Sequence, residues 1–199
     1  MPRVTDEHRA ARREQILDAA LRRVAAEGFH RTTMADVIAE SDLSAGAVYG
    51  YFRSKQELIR AIADRVGGVL ASTIEGLAEA DPPVPPAAAL EAVLERVLDL
   101  AADAGYDVPS VAVQAWAEAA RDPEVRAVLA TKMRRVRDSW TAYAERARDA
   151  GLLAPDADPA AVGGTLLGLM PGFLVFRLVL GDVTPQSHTA GLAELMRSP

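Results

Sequence analysis

Three times this chain places an N-capping side chain directly before a proline: Asp122-Pro123, Asp158-Pro159 and Thr184-Pro185. Asp and Thr accept hydrogen bonds from the free N–H groups of a first helical turn. Proline fits that turn because the N–H it lacks would have had no partner there. Behind each start the apolar residues recur at three/four spacing, which predicts helices over about 123–149, 159–180 and 185–197. The same punctuation runs back to the N-terminus. Ile16, Leu17, Ala20, Leu21, Val24 and Ala25 line one face of a first helix that stops near Gly28. Thr32-Thr33 opens a second helix with Val37 and Ile38 inward, and Ser44 caps a short third one reaching about Tyr51. Ser54-x-x-Glu57 is a capping box for a fourth helix that runs into the mid-70s. Asp81-Pro82-Pro83-Val84-Pro85-Pro86 ends the pattern, since four prolines cannot occupy a helix interior. A helix from Ala87 to Ala104 follows, with Leu90, Val93, Leu94, Val97 and Leu98 inward, then a shorter one over about Pro109–Ala120. The expectation is an all-α protein of about nine helices, with no strands and no internal repeat.

Composition narrows what such a bundle can do. Half of the 199 residues are apolar, enough for a packed core. The absence of cysteine removes disulfides, thiol nucleophiles and thiolate metal sites. His8, His30 and His188 are widely separated, so no metal and no cofactor is expected. The charged N-terminal stretch has no apolar core of a leader peptide, which predicts a cytoplasmic protein. Ala160 to Phe176 carries no charge but is interrupted by Pro171 and followed by Arg177. At 17 residues it falls short of the ~20 needed to span a bilayer and reads as a buried bundle helix, with no membrane partner. No nucleophile motif, His/carboxylate cluster or phosphate-cradling glycine loop marks an enzyme. The net charge of −6 is unevenly spread: residues 1–60 hold 10 basic against 9 acidic side chains, and the remainder 12 against 19. A near-neutral first third on an acidic remainder fits two parts with different partners.

The most informative stretch is GFHRTTMADVIAESDLSAGAVYGYFRSKQEL, from Gly28 to Leu58. It reads as two short helices joined by a tight turn at Ser41-Asp42, followed by a capped long helix. Small residues on the leading turn of the third helix let its backbone approach a groove floor. Tyr49, Tyr51 and Lys55 then offer donors in a row, the groups that hold phosphate oxygens. Gly28-Phe29, Thr32-Thr33-Met34, Leu43-Ser44-x-Gly46-Ala47-Val48-Tyr49-x-Tyr51-Phe52 and Ser54-Lys55-x-x-Leu58 resemble the TetR family of bacterial transcription regulators. The resemblance covers roughly the first 60 residues, and Trp116-Ala117-Glu118-Ala119-x-x-Asp122-Pro123-Glu124 is also similar to many members.

The resemblance implies a helix-turn-helix DNA-binding domain at 1–53 and an effector-binding and dimerisation domain at 54–199, linked by the fourth helix. It implies a homodimer on a double-stranded, palindromic DNA operator, acting as a repressor that a small-molecule effector releases. DNA contacts are then expected at Thr33, Ser44, Ala45, Gly46, Ala47, Tyr49, Gly50, Tyr51 and Lys55. Thr33 and Ser44 divide between phosphate contact and helix capping. Val48, Phe52 and Leu58 belong to the core of the head. Met34, Ala45, Gly46, Ala47 and Gly50 cannot make bidentate base contacts, so readout would rest on thymine methyls, backbone groups or DNA shape. Asp42 stands where the family favours glycine, and Asp tolerates a left-handed backbone. Arg3, Arg9, Arg12 and Arg13 are available for phosphate or minor-groove contacts or form a solvated face.

For the effector the candidates are Tyr106, Gln114, Trp116, Met133, Trp140, Tyr143, Met170 and Phe173, each of which is alternatively plain core. Gly164, Leu167, Gly168 and Gly172 would allow close helix approach at the dimer interface or a cavity wall. Arg177 is assigned to a paired charge at that interface or to an acidic effector. The competing functions are an auxiliary regulator working through protein contacts and a helical carrier or enzyme that retains the head.

Overall fold

The computed structural model describes residues 6–102 and 105–196. They form α1 (Asp6–Arg31), α2 (Met34–Ser41), α3 (Ala45–Tyr51), α4 (Lys55–Ala78), α5 (Pro86–Ala102), α6 (Val108–Arg121), α7 (Pro123–Asp149), α8 (Pro159–Leu180) and α9 (Pro185–Leu195). Among the described residues the nine expected helices are all present and there is no strand. The expected ends at Ala104 and 197, like Arg3, lie outside the described residues.

The caps explain the boundaries. Asp122 accepts from the Glu124 and Val125 N–H groups at 2.7 and 3.3 Å, Asp158 from Ala160 at 2.9 Å and Thr184 from Ser187 at 3.1 Å. At α4 the box differs in one arm from the expected one. Ser54 accepts from the Glu57 N–H at 3.2 Å, but Glu57 reaches past Ser54 and accepts the Arg53 N–H at 2.7 Å. Pro171 does not interrupt α8, which continues from Pro159 to Leu180.

By packing, the chain forms two compact units: one runs to Asp64 and includes Ala101–Val128, the other comprises Arg65–Leu100 and Leu129 onward. In the first, α1 packs against α2 and α6, and its core holds Ile16, Leu17, Leu21, Val24, Phe29, Val37, Val48, Phe52 and Leu58. In the second, Ile74, Leu90, Val93, Leu94, Val136, Trp140, Tyr143 and Phe173 have less than 3% exposure. The helix α8 is long and apolar enough to cross a membrane. Gly163, Leu166, Met170, Phe173 and Leu174 are nonetheless buried. Gly163 marks a close approach: a Cβ there would stand 2.8 Å from the Thr141 backbone nitrogen on α7.

Candidate nucleic-acid interface

The helix-turn-helix is set by three polar devices. Thr33 has an extended backbone and caps α2, its Oγ1 accepting the Asp36 N–H at 3.3 Å while Asp36 Oδ2 accepts the Thr33 N–H at 2.8 Å. The Thr33 hydroxyl also donates to Asp36 Oδ2 at 2.7 Å. These bonds, the hydroxyl first, hold the Asp36 carboxyl below its usual value. Asp42 ends α2 in the left-handed conformation (φ 55, ψ 24), the backbone that the sequence predicts for this turn. Gln15 Nε2 reinforces the same turn by donating to the Ser41 carbonyl at 2.7 Å. Ser44 then caps α3, accepting the Ala47 N–H at 3.3 Å.

With both ends fixed, α3 turns Val48 inward and leaves Ala45, Gly46, Tyr49 and Gly50 exposed, with Ala47 and Tyr51 half-buried. No atom lies within 4 Å of where a Cβ at Gly46 or Gly50 would be, apart from the helix's own backbone and adjacent residues. The outer face of α3 is therefore bare backbone and small side chains, with Tyr49 47% exposed beside it. Phe52 and Leu58 are buried, as their assignment to the head's core requires. The stem of Lys55 borders a small apolar pocket with Phe29, Met34, Val37 and Leu58. Its Nζ lies 3.5 Å from the His30 carbonyl oxygen, an arrangement that keeps the charge at the surface while the methylenes pack. Both Thr33 and Ser44 cap their helices and remain exposed. Of the N-terminal arginines, Arg12 donates to Gln15 at 2.7 Å, Arg13 stacks over Phe52 at 5.4 Å, and Arg9 is exposed.

The effector candidates fall into two groups. Trp140 and Tyr143 stack edge to face at 5.4 Å, and with Met170 and Phe173 they are buried in the second unit. The Tyr143 hydroxyl donates to the Val84 carbonyl at 2.5 Å, and burial pushes its phenol far above the usual value. The Trp140 indole N–H is buried with no acceptor among the described residues. Met133 is half-buried on α7. Tyr106, Gln114 and Trp116 are half-buried in the first unit. There the amide of Gln114 donates to the Ala25 carbonyl at 3.3 Å.

Among the dimer candidates, Leu167 is half-buried, and Gly164 and Gly168 have open space where a Cβ would be, whereas Gly172 faces His188 of α9 at 4.0 Å. Arg177 donates to the Val183 carbonyl at 2.8 Å, tying the α8–α9 link. On either side of it Val175, Phe176, Leu178, Val179 and Leu180 are exposed. Sequence reasoning missed Gly163, whose contact with Thr141 depends on the α7–α8 approach. It also missed Asp36, though a carboxylate three residues after Thr33 carries the signal of a capping box.

Comparison with known proteins matches two stretches of the chain. Residues 16–62 match the family model for bacterial regulatory proteins of the tetR family. Residues 85–197 match the model for the C-terminal part of BetI-type transcriptional repressors. The transcriptional regulator UidR of Escherichia coli K12 is 30% identical over 165 residues, 81% of this chain and 79% of UidR. An uncharacterized regulator, YfiR of Bacillus subtilis, is 48% identical over 61 residues, 31% of this chain and 30% of YfiR. Among solved structures, a SmeT–triclosan complex superposes with a TM-score of 0.74 at 26% identity, over 94% of this chain and 90% of that one. SmeT is the repressor of a multidrug efflux pump of Stenotrophomonas maltophilia.

Proposed function

Because this chain belongs to the TetR family of bacterial regulatory proteins and is a DNA-binding transcriptional regulator, we propose that it represses transcription as a homodimer on a palindromic operator and is released by a small-molecule effector. The observation that carries this reading is the outer face of α3. Gly46 and Gly50 have open space around them, and Ser44 and Tyr49 stand exposed alongside. A helix with only small side chains on the middle of its outer face can lie close to base edges, while Thr33, Ser44, Tyr49, Tyr51 and Lys55 hold phosphates on either side. Sequence preference then comes from contacts of Ala45 and Ala47 with thymine methyls and from DNA shape. Two such heads in a dimer would meet half-sites about 34–36 Å apart, or a multiple of that.

Residues 1–53 serve as the DNA-binding domain and 54–199 as the effector-binding and dimerisation domain. The exposed apolar end of α8, with Gly164, Leu167 and Gly168, is the surface we assign to the second protomer. The effector meets Trp140, Tyr143, Met170, Phe173 and Met133. Its hydrogen-bond acceptor takes the buried indole N–H of Trp140, which has no other acceptor among the described residues. SmeT, a structural relative, forms a complex with triclosan. The regulator works in the cytoplasm without a catalytic role.

Fluorescence anisotropy on the DNA upstream of its own gene, against scrambled DNA at two salt concentrations, tests the reading. Preference for the upstream DNA that survives higher salt is the expected result. Equal, salt-sensitive binding to both would reject a local repressor and direct attention to protein partners.

A further inference from the structure

The first helix is broken by one residue. Gly28 has φ 87 and ψ 159, a region closed to L side chains. A break of this kind interrupts the helical ladder, so a carbonyl just before it is open to a donor from elsewhere. Ala25 O, three residues before the break, accepts from Gln114 Nε2 at 3.3 Å, across a separation of 89 residues. The same amide fills the space beside the break: a Cβ on Gly28 would stand 2.5 Å from Gln114 Oε1. Beyond the break, the Thr32 N–H and Oγ1 both donate to Gly28 O, at 3.1 and 2.8 Å. Lys55 Nζ approaches His30 O at 3.5 Å, and Thr33 caps α2. The segment Gly28–Thr33 thus carries two of the assigned phosphate contacts or their supports, and α6 grips its start.

We propose that Gln114 is a positioning residue through which α6 sets the break at Gly28 and so the placement of Thr33 and α2 against DNA. The proposal rests on the regulator reading above. The joint between α6 and α7 supplies a route for movement. Asp122 alone separates the two helices; its N–H bonds the Glu118 carbonyl at 2.8 Å while its carboxylate caps α7. Arg126 Nε donates back to the Ala119 carbonyl at 2.9 Å. A shift at the start of α7 therefore moves α6, draws the Gln114 amide from Ala25 and leaves that carbonyl to seek another donor. The break at Gly28 then relaxes, and the α2 N-terminus loses its fixed register with α3. Other side chains in the α1–α6 packing can serve as glue, but Gln114 bonds the backbone at the break itself.

The test uses the full chain and a duplex that the wild type enriches from a random library. Gln114→Met keeps the volume and removes the donor, whereas Gln114→Lys restores a donor towards a helix C-terminal carbonyl. Loss of the bond should weaken binding to that duplex by about tenfold, the scale of one hydrogen bond, with the dimer and the salt slope unchanged. Backbone amides over 29–32 should exchange faster in the free Met variant while those over 16–24 keep their protection. The Lys variant should recover both properties. Wild-type affinity and exchange in the Met variant would overturn the proposal, as would faster exchange along the whole of α1, which signals mere loss of packing. If the wild type enriches no sequence, the regulator reading fails and this one with it. Enrichment followed by an indifferent Met variant overturns the coupling alone.

Discussion

At the scale of single residues, the proposed DNA face depends on a few polar atoms whose present partners the structure shows. Among the described residues Lys55 has its ammonium near a carbonyl oxygen rather than beside a carboxylate, so a phosphate can capture it without breaking an ion pair there. Lys55→Ala should weaken binding on every sequence and lower the magnitude of the salt slope by about 0.9, one phosphate's worth. Tyr49→Phe should weaken binding to specific and scrambled DNA alike. Anisotropy titrations over a salt series read both, and unchanged affinity in the two variants would remove these contacts. Thr33 makes a different commitment, since its hydroxyl proton is held by Asp36. The Asp36 carboxyl is lowered from 3.8 by that bond. A lowered folded value means that the cap's contribution is present above 3.8 and is lost as pH falls through the folded value. Urea unfolding of wild type and Asp36→Asn should therefore differ most near neutrality and converge in acid. A gap that stays constant down to acid pH would contradict the capping role.

At the scale of elements, the helix ends were legible because capping chemistry is local. Asp122, Asp158 and Thr184 act within three residues of themselves, and Asp42 adopts the left-handed turn that its own side chain tolerates. The close approach of α7 and α8 was not legible. The glycines at 164, 168 and 172 share the spacing of a contact stripe, yet it is Gly163 that meets the Thr141 backbone. Gly163→Val should force the two helices apart and cost about 1–3 kcal/mol, the usual range for overpacking. Gly164→Val, which has open space within its own protomer, should cost the protomer's own fold less. Thermal unfolding of the pair checks the order, and equal stabilities would mean that the α7–α8 approach is loose.

At the scale of the whole molecule, the protein is a head that presents a bare helix and a bundle that leaves an apolar helix end uncovered. Val179 and Leu180 are 72% and 63% exposed, apolar surface that packing against a partner would remove from water. Gly168→Leu has open space within its own chain, so its effect falls on whatever packs against that face. Sedimentation equilibrium should show a weaker dimer for Gly168→Leu with the folding of the protomer unchanged. A dimer of wild-type affinity would place the interface elsewhere. Weakened dimers should also bind the operator poorly, because the two heads lose their fixed spacing.

The sequence by itself determined the helices, their order, the turn at Asp42 and the small residues that make up α3. Each of these depends on side chains acting on backbone a few residues away, and such effects survive without knowledge of the rest of the fold. The tertiary structure decided which partner each polar candidate found. Gln114, a candidate for the effector, bonds the end of α1; Arg177, a candidate for the dimer interface, bonds the Val183 carbonyl; the Trp140 N–H finds no acceptor among the described residues. Hydrophobic spacing reports only that a face is buried, because burial is non-directional. A hydrogen bond needs a particular atom within about 3 Å, and that atom is chosen only when distant helices pack.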